Sequence, residues 1–282
     1  MRIRLMAALL MAPLALPGGV RAANCRIGPA AAAATNAASY DTLDWAPFRR
    51  PERGWAIYGV RIAAEIATRC AADTPGFAAA LARWQAAHAL PGSGIVDAPG
   101  FAVMNAGWTA ARPFVAATRD GDCPLPPAAS ALAAAAAGEN YGGKTIVLRR
   151  DALAAYRRLR AAARREIAVT DPDWLRLFSG YRAPVDDDQR CATEGNCDGI
   201  MRAACSAHRT GLAIDLHVGH APGFGPDQSD DANRRAMVRT LAYRWLVTNA
   251  ARFGFANYVF EPWHWEYAPL STRRAAPGKT AG

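Results

Sequence analysis

Apolar positions follow two rhythms along this chain. Between Trp55 and Trp108, Ile62 and Ile66, then Phe77, Leu81 and Trp84, recur at three- and four-residue steps. That spacing lines one face of a helix. Pro91-Gly92-Ser93-Gly94 reads as a turn, and order restarts at Ile95-Val96-Asp97. A second helix is expected over 151–167, with Leu153, Tyr156, Leu159, Ala163 and Ile167 on one face and arginines on the other. A third starts from a cap at Ser229 or Asp230, runs through Arg252 and closes at Gly254, where a left-handed cap is wanted. Two segments alternate instead, 212–216 and 264–268, and these read as strands. Residues 24–53 look irregular, because Pro29, Pro47 and Pro51 break any long helix. The alanine runs at 30–34 and 133–137 read as coil or undemanding helix surface. The expected fold is α+β, a small antiparallel sheet with flanking helices preceded by a small helical domain.

Gly121, Pro124, Pro126 and Pro127 with an alanine run place an inter-domain linker at 124–138. It separates a helical domain, 23–123, from a second domain, 139–282. Residues 1–22 read as a signal peptide: Arg2 and Arg4, an apolar run from Leu5 to Leu16, and small residues around Arg21. The run is too short to anchor the chain in a bilayer, no other long apolar run follows, and Ala23-Asn24-Cys25 does not suit a lipoprotein site. The chain is therefore expected to be exported, periplasmic or extracellular, without a membrane anchor. Six cysteines fit an oxidising compartment: Cys25, Cys70, Cys123, Cys191, Cys197 and Cys205. Three lie on each side of the linker. If all are oxidised within the chain, an odd number of disulfides must join the halves. Cys123 is the natural donor, with its partner in the loop 191–205. Losing Arg2, Arg4 and Arg21 lowers the formal net charge of +9 by three. A basic exported chain suits an anionic polymer, and no motif that reads DNA or RNA is present.

The chemistry concentrates in two strands. In Ser206-Ala207-His208-Arg209-Thr210-Gly211-Leu212-Ala213-Ile214-Asp215-Leu216, alternation puts Ala213 and Asp215 on one face and the branched aliphatics on the other. A carboxylate on so apolar a strand costs free energy unless it has a partner such as a metal. Gly211 lets the chain turn so that His208 approaches the same point. An imidazole and a carboxylate are two of the three protein ligands of a catalytic zinc. Glu261-Pro262-Trp263-His264-Trp265-Glu266-Tyr267 supplies the third as His264, with both tryptophans expected to pack away from the metal. Glu261 can reach a water at that metal without ligating it, taking its proton and passing it to a leaving amine. His217 and His220 read as surface or supporting histidines, and His88 as a surface residue.

At these residues the chain resembles the VanY-type D-alanyl-D-alanine carboxypeptidases, within the wider lysostaphin, D-Ala-D-Ala peptidase and hedgehog group. Ser-x-His-x-x-Gly-x-Ala-x-Asp is complete at Ser206, His208, Gly211, Ala213 and Asp215. Glu-x-x-His is complete at Glu261 and His264, and Ser-Gly-Tyr-Arg stands at Ser179, Gly180, Tyr181 and Arg182. The resemblance implies one zinc per chain held by His208, Asp215 and His264, with Glu261 as general base and acid. It also implies Arg182 steadying the substrate carbonyl or oxyanion, and Tyr181 and Ser206 contacting substrate. The implied substrate is the peptidoglycan stem peptide, cleaved at its terminal D-Ala. The alternatives are an endopeptidase cutting cross-links or another stem bond, and a non-catalytic wall-binding protein, which intact Glu261 argues against. One departure is the Gln that the family carries five residues after the motif Arg. Here the nearest is Gln189, beyond the acidic run Asp186-Asp187-Asp188. The region 55–108 also resembles the small three-helix peptidoglycan-binding domain, through Leu81, Trp84-Gln85, His88, Leu90, Gly94, Val96-Asp97 and Met104-Asn105. It departs at Ala89, where that family has Gly, and near Gly100, where it has Thr.

Overall fold

The computed structural model describes residues 24–194 and 205–268. The leader read at 1–22 and Cys197 lie outside the described residues. In chain order the elements are α1 (Ala30–Ser39), β1 (Asp44–Trp45), β2 (Glu52–Arg53), α2 (Gly59–Glu65), α3 (Pro75–Ala87), α4 (Ala98–Ala110) and α5 (Pro113–Ala117). Then follow β3 (Leu132–Ala134), β4 (Val147–Arg149), α6 (Arg150–Glu166), β5 (Leu177–Ser179), α7 (Pro184–Glu194) and β6 (Ala213–Leu216). The described chain ends with α8 (Asp231–Arg239), α9 (Leu241–Asn249), β7 (Phe255–Asn257) and β8 (His264–Tyr267).

Local chemistry accounts for most boundaries. Thr74 caps α3 by accepting the Phe77 N–H at 3.4 Å, with Pro75 in the first turn where its missing N–H costs nothing. Asp97 caps α4 through the Gly100 N–H at 2.8 Å. The turn between these helices is tied by one side chain: the Gln85 amide accepts from Gly94 N at 2.8 Å and donates to the Ile95 carbonyl at 3.0 Å. Ala89 sits there at φ 57°, the left-handed region where the resembling family has Gly.

Three expectations change. Residues 30–39 form a regular helix, because Pro29 precedes the first turn rather than interrupting it, and the small Ala32 and Ala33 bury against Ala78 of α3. The segment read as linker contains β3, which pairs antiparallel with β4 in the register Ala133 to Leu148. The helix expected from residue 229 to 252 is broken at Thr240, whose backbone is extended (ψ 152°) and whose hydroxyl accepts the Tyr243 N–H at 3.2 Å to start α9. Asp230 stands at the cap position of α8 without a side-chain cap bond, while Gly254 closes the last turn at φ 97° as expected.

The helical half and the sheet share one apolar core, in which Trp55, Tyr58, Phe77 and Phe101 are continuous with Leu148, Leu177, Leu216 and Trp265. At its seam Arg234 is fully buried. Its guanidinium donates to Glu52 at 3.0 Å, to the Tyr58 hydroxyl at 2.7 Å and to the Phe260 carbonyl at 2.9 Å. Among the described residues two disulfides are formed, Cys25–Cys70 and Cys123–Cys205, and the second joins the halves through the expected Cys123. The site rests on a four-stranded antiparallel sheet in the order β5-β6-β8-β7.

Candidate metal and catalytic site

Strand register creates the site. On β6 and β8, Asp215 lies directly opposite His264, and Ile214 opposite Trp265. Alternation therefore sends the carboxylate and the imidazole to one face together. Opposite residues on that face stand close enough to touch, and His264 Nδ1 is 3.0 Å from Asp215 Oδ1. His208 arrives from the 3₁₀ turn Ala207–Thr210, which ends in Gly211 at φ 66°. Its Nε2 lies 3.2 Å from the other Asp215 oxygen. The ligand atoms of His208, Asp215 and His264 all fall within 4.8 Å of one another, and all three side chains are buried.

Gly180 sets the orientation of His208. Its carbonyl oxygen is 2.7 Å from His208 Nδ1, leaving Nε2 to face Asp215. A Cβ at Gly180 would stand 2.5 Å from the Val147 carbonyl, so only glycine lets this strand end pass β4 so closely. Across the site, Asn257 fixes the turn before His264 by donating to the carbonyls of His264 at 2.8 Å and Glu261 at 3.2 Å. Both flanking tryptophans pack in the core as expected, and Trp263 also borders the cleft.

A cleft of about 180 Å³ opens over the cluster. Besides the three ligand candidates it is lined by Glu261, Arg182 and Ser206. Glu261 Oε2 is 3.9 Å from His264 Nδ1, beside the ligand atoms. Arg182 donates to Asp187 at 2.8 Å and to the Ser179 hydroxyl at 3.3 Å, which holds its fork at the cleft wall. Ser206 caps the 3₁₀ turn, its hydroxyl accepting from His208 N at 3.2 Å, and also borders the cleft. Tyr181 is not brought into the cleft lining. It follows the tight Gly180 passage, and its N–H donates to the Val147 carbonyl at 2.6 Å. His217, read as a surface or supporting histidine, is buried and stacked on Tyr141 at 4.5 Å, outside the ligand group. His88 is exposed and stacks on Trp84.

Three residues at the site were not singled out from the sequence. Asp187 occupies the position five residues after Arg182, where the resembling family has Gln, and is buried against that arginine. Glu266 and Arg112 form a pair behind His264, with Arg112 also reaching the cleft. Only the alternation that puts His264 and Glu266 on one strand face could have pointed to Glu266.

Charges balance tightly here. Burial works against an ionised Asp215, but the His208 and His264 imidazoles outweigh it and hold the carboxyl far below the ordinary range. Burial also works against a charged His264, yet its bonds to Asp215 and Glu266 push it up to about 9. Burial opposes the charge on Glu266, but His264 and Arg112 hold its carboxyl down at about 2. Two imidazole nitrogens and one carboxylate, buried, convergent and open to a cleft, are the donor set a catalytic zinc takes. Each histidine has a backbone or carboxylate partner on its other nitrogen, as metal-ligating histidines do. The residues fit zinc.

Residues 145–270 match the sequence model of the VanY family, described as D-alanyl-D-alanine carboxypeptidase. No curated protein matches the chain. Among solved structures, the LdcB LD-carboxypeptidase is 22% identical with a TM-score of 0.39, covering 54% of this chain and 74% of its own. A VanY D,D-pentapeptidase from a VanB-type vancomycin-resistance cassette, solved with Zn(II), is 20% identical with a TM-score of 0.30, over 52% of this chain and 84% of its own. VanYB in complex with D-alanine-D-alanine is 21% identical with a TM-score of 0.31, over 52% of this chain and 83% of its own.

Proposed function

We propose that this chain, whose residues 145–270 are a VanY-family domain, is a zinc-dependent D-alanyl-D-alanine carboxypeptidase that trims peptidoglycan stem peptides. The observation that carries the reading is the buried His208, Asp215 and His264 group with Glu261 beside it on the wall of one cleft. These three side chains would hold one zinc ion per chain. When bound, zinc supplies an electrophile that acidifies water towards neutral pH and polarises a peptide carbonyl.

The protein's own groups do the rest. Glu261 takes the proton of the attacking water and delivers it to the departing D-Ala amine, a transfer its place beside the ligand atoms suits. Arg182, held by Asp187 and Ser179, directs its fork at the carbonyl oxygen, where negative charge grows. Ser206, on the turn that carries His208, borders the bound peptide. Lys144 and Arg190 also line the cleft and favour a peptide that ends in a carboxylate. Two disulfides suit an oxidising compartment, so the chain works outside the cytoplasm, periplasmic or extracellular. Among the described residues no helix is long and apolar enough to cross a membrane.

Digestion of purified peptidoglycan and of a synthetic stem pentapeptide, with products identified by mass spectrometry, tests the proposal. Free D-Ala and a tetrapeptide are expected. Split cross-linked dimers without free D-Ala would make the enzyme an endopeptidase instead, and unchanged substrates in the presence of zinc would leave a binding protein.

A further inference from the structure

Behind the metal group stands a charged pair that the proposed chemistry does not use. Glu266 follows His264 by two residues on β8, shares its face, and is 1% exposed. Its Oε1 lies 3.3 Å from His264 Nε2, on the far side of the ring from Asp215. Its Oε2 accepts the Phe114 N–H at 3.0 Å. Arg112 closes the set, donating to Oε1 through Nε at 2.8 Å and through Nη2 at 2.5 Å. The Arg112 guanidinium lies 4.1 Å from the centre of the Tyr258 ring, and the Tyr258 N–H donates to the His264 carbonyl at 3.1 Å. Arg112 and Phe114 belong to the start of α5, in the helical half, 154 and 152 residues away along the chain.

An imidazole offers two nitrogens, and the partner of one decides where the other points and which carries the proton. A buried carboxylate left without a cation would be costly and free to turn. The rigid arginine fork removes both problems in one contact. We propose that Arg112 and Glu266 form a positioning relay that aims His264 Nδ1 into the metal group, so that the helical half supplies part of the metal site. The relay rests on His264 being a zinc ligand. A plain ion pair joining the two halves would be a different thing: its loss would lower stability and leave zinc affinity in the folded protein untouched.

The test uses the full chain. Zinc dissociation constants from chelator competition, the absorption spectrum of the Co(II)-substituted protein, and kcat and KM on the pentapeptide are compared for Arg112→Met, Arg112→Lys, Glu266→Gln and the Arg112→Met/Glu266→Gln double variant. The relay predicts zinc binding weaker by about 10- to 100-fold in Arg112→Met and in Glu266→Gln, the usual cost of losing such a supporting partner. It also predicts an altered Co(II) spectrum, partial recovery in Arg112→Lys, and a double variant little worse than either single one. Wild-type zinc affinity and Co(II) spectrum in folded Arg112→Met overturn it. If that variant does not fold, the near-isosteric Glu266→Gln decides, and unchanged zinc affinity there overturns the relay equally. Wild-type protein that binds no zinc at all would instead remove the reading of the site itself.

Discussion

The carbonyl oxygen of Gly180 stands 2.7 Å from Nδ1 of His208, which turns Nε2 of that ring towards Asp215. The geometry depends on Gly180 passing against the Val147 carbonyl, where a Cβ would come within 2.5 Å. Gly180→Ala is therefore expected to push the strand end away and loosen His208. Zinc affinity should fall by roughly 10- to 100-fold, the range typical for the second contact of a metal-ligating histidine. Titration of the apo-protein with zinc against a competing chelator checks this, and wild-type affinity in the variant would contradict it.

Ligands and the proton carrier should separate cleanly. Asp215→Ala and His264→Ala are expected to lose zinc, because each removes a ligand from a group that spans only 4.8 Å. Glu261→Gln should keep the metal and the fold but lose about 10²- to 10⁴-fold in kcat, since it removes proton transfer alone. Metal content by elemental analysis, set beside turnover, distinguishes the two classes of variant.

The seam between the halves offers a stability prediction. Arg234 is fully buried and serves Glu52, Tyr58 and Phe260 together. Arg234→Ala leaves Glu52 charged inside with its cation gone and the Tyr58 hydroxyl still donating to it, and should cost about 3–5 kcal/mol. Urea denaturation of the zinc-free protein measures it, and a loss below about 1 kcal/mol would show that water or rearrangement replaces the contact.

Ala89 predicts a gain. At φ 57° its Cβ meets the crowding that makes left-handed backbone unfavourable by about 1–2 kcal/mol. Glycine there returns some of that through its greater freedom when unfolded, about 0.4–1 kcal/mol. Ala89→Gly should therefore be net stabilising by up to about 1 kcal/mol, read as a raised denaturation midpoint.

High pH should open the fold through its tyrosines. Burial raises the hydroxyls of Tyr58, Tyr156 and Tyr243, the last to about 12. Unfolded tyrosine ionises near 10, so above that pH the unfolded state has lost protons that the folded state keeps. The stability these groups contribute is complete below about 10 and falls as pH rises further. Tyrosinate absorbance should show these three hydroxyls appearing together with loss of fold. Gradual ionisation of all tyrosines in a still-folded chain would contradict it.

Much of the site was readable because its chemistry is local. Asp215 on an apolar strand demands a partner, and a glycine turn and an Glu-x-x-His segment name the partners by spacing alone. Strands β6 and β8 and helix α6 followed from periodicity, and the close at Gly254 from its glycine. What escaped reading has physical reasons too. Helix α1 is built of alanines, whose burial against Ala78 comes from smallness rather than from an apolar stripe. Thr240 breaks a helix that its neighbours would continue, because its hydroxyl starts α9 afresh. Asp187 sat inside an acidic run that looks like a solvated face, yet helix α7 turns that one member inward to Arg182. Arg112 was invisible because its partner lies 154 residues away, and nothing in sequence spacing encodes that contact.

The shared core and the reach of Arg112 and Phe114 bear on how such a chain can evolve. Domains tethered by a loose linker can be exchanged by recombination, each arriving with its own job intact. Here a crossover in the segment 124–138 would exchange the wall of the cleft, the contact on Glu266 and one half of the Cys123–Cys205 bridge in a single event. The two halves are therefore expected to be inherited as a unit, with substitutions at α5 and β8 compensating one another. New substrate preferences are open to mutations in the helical half that leave every metal-binding motif unaltered.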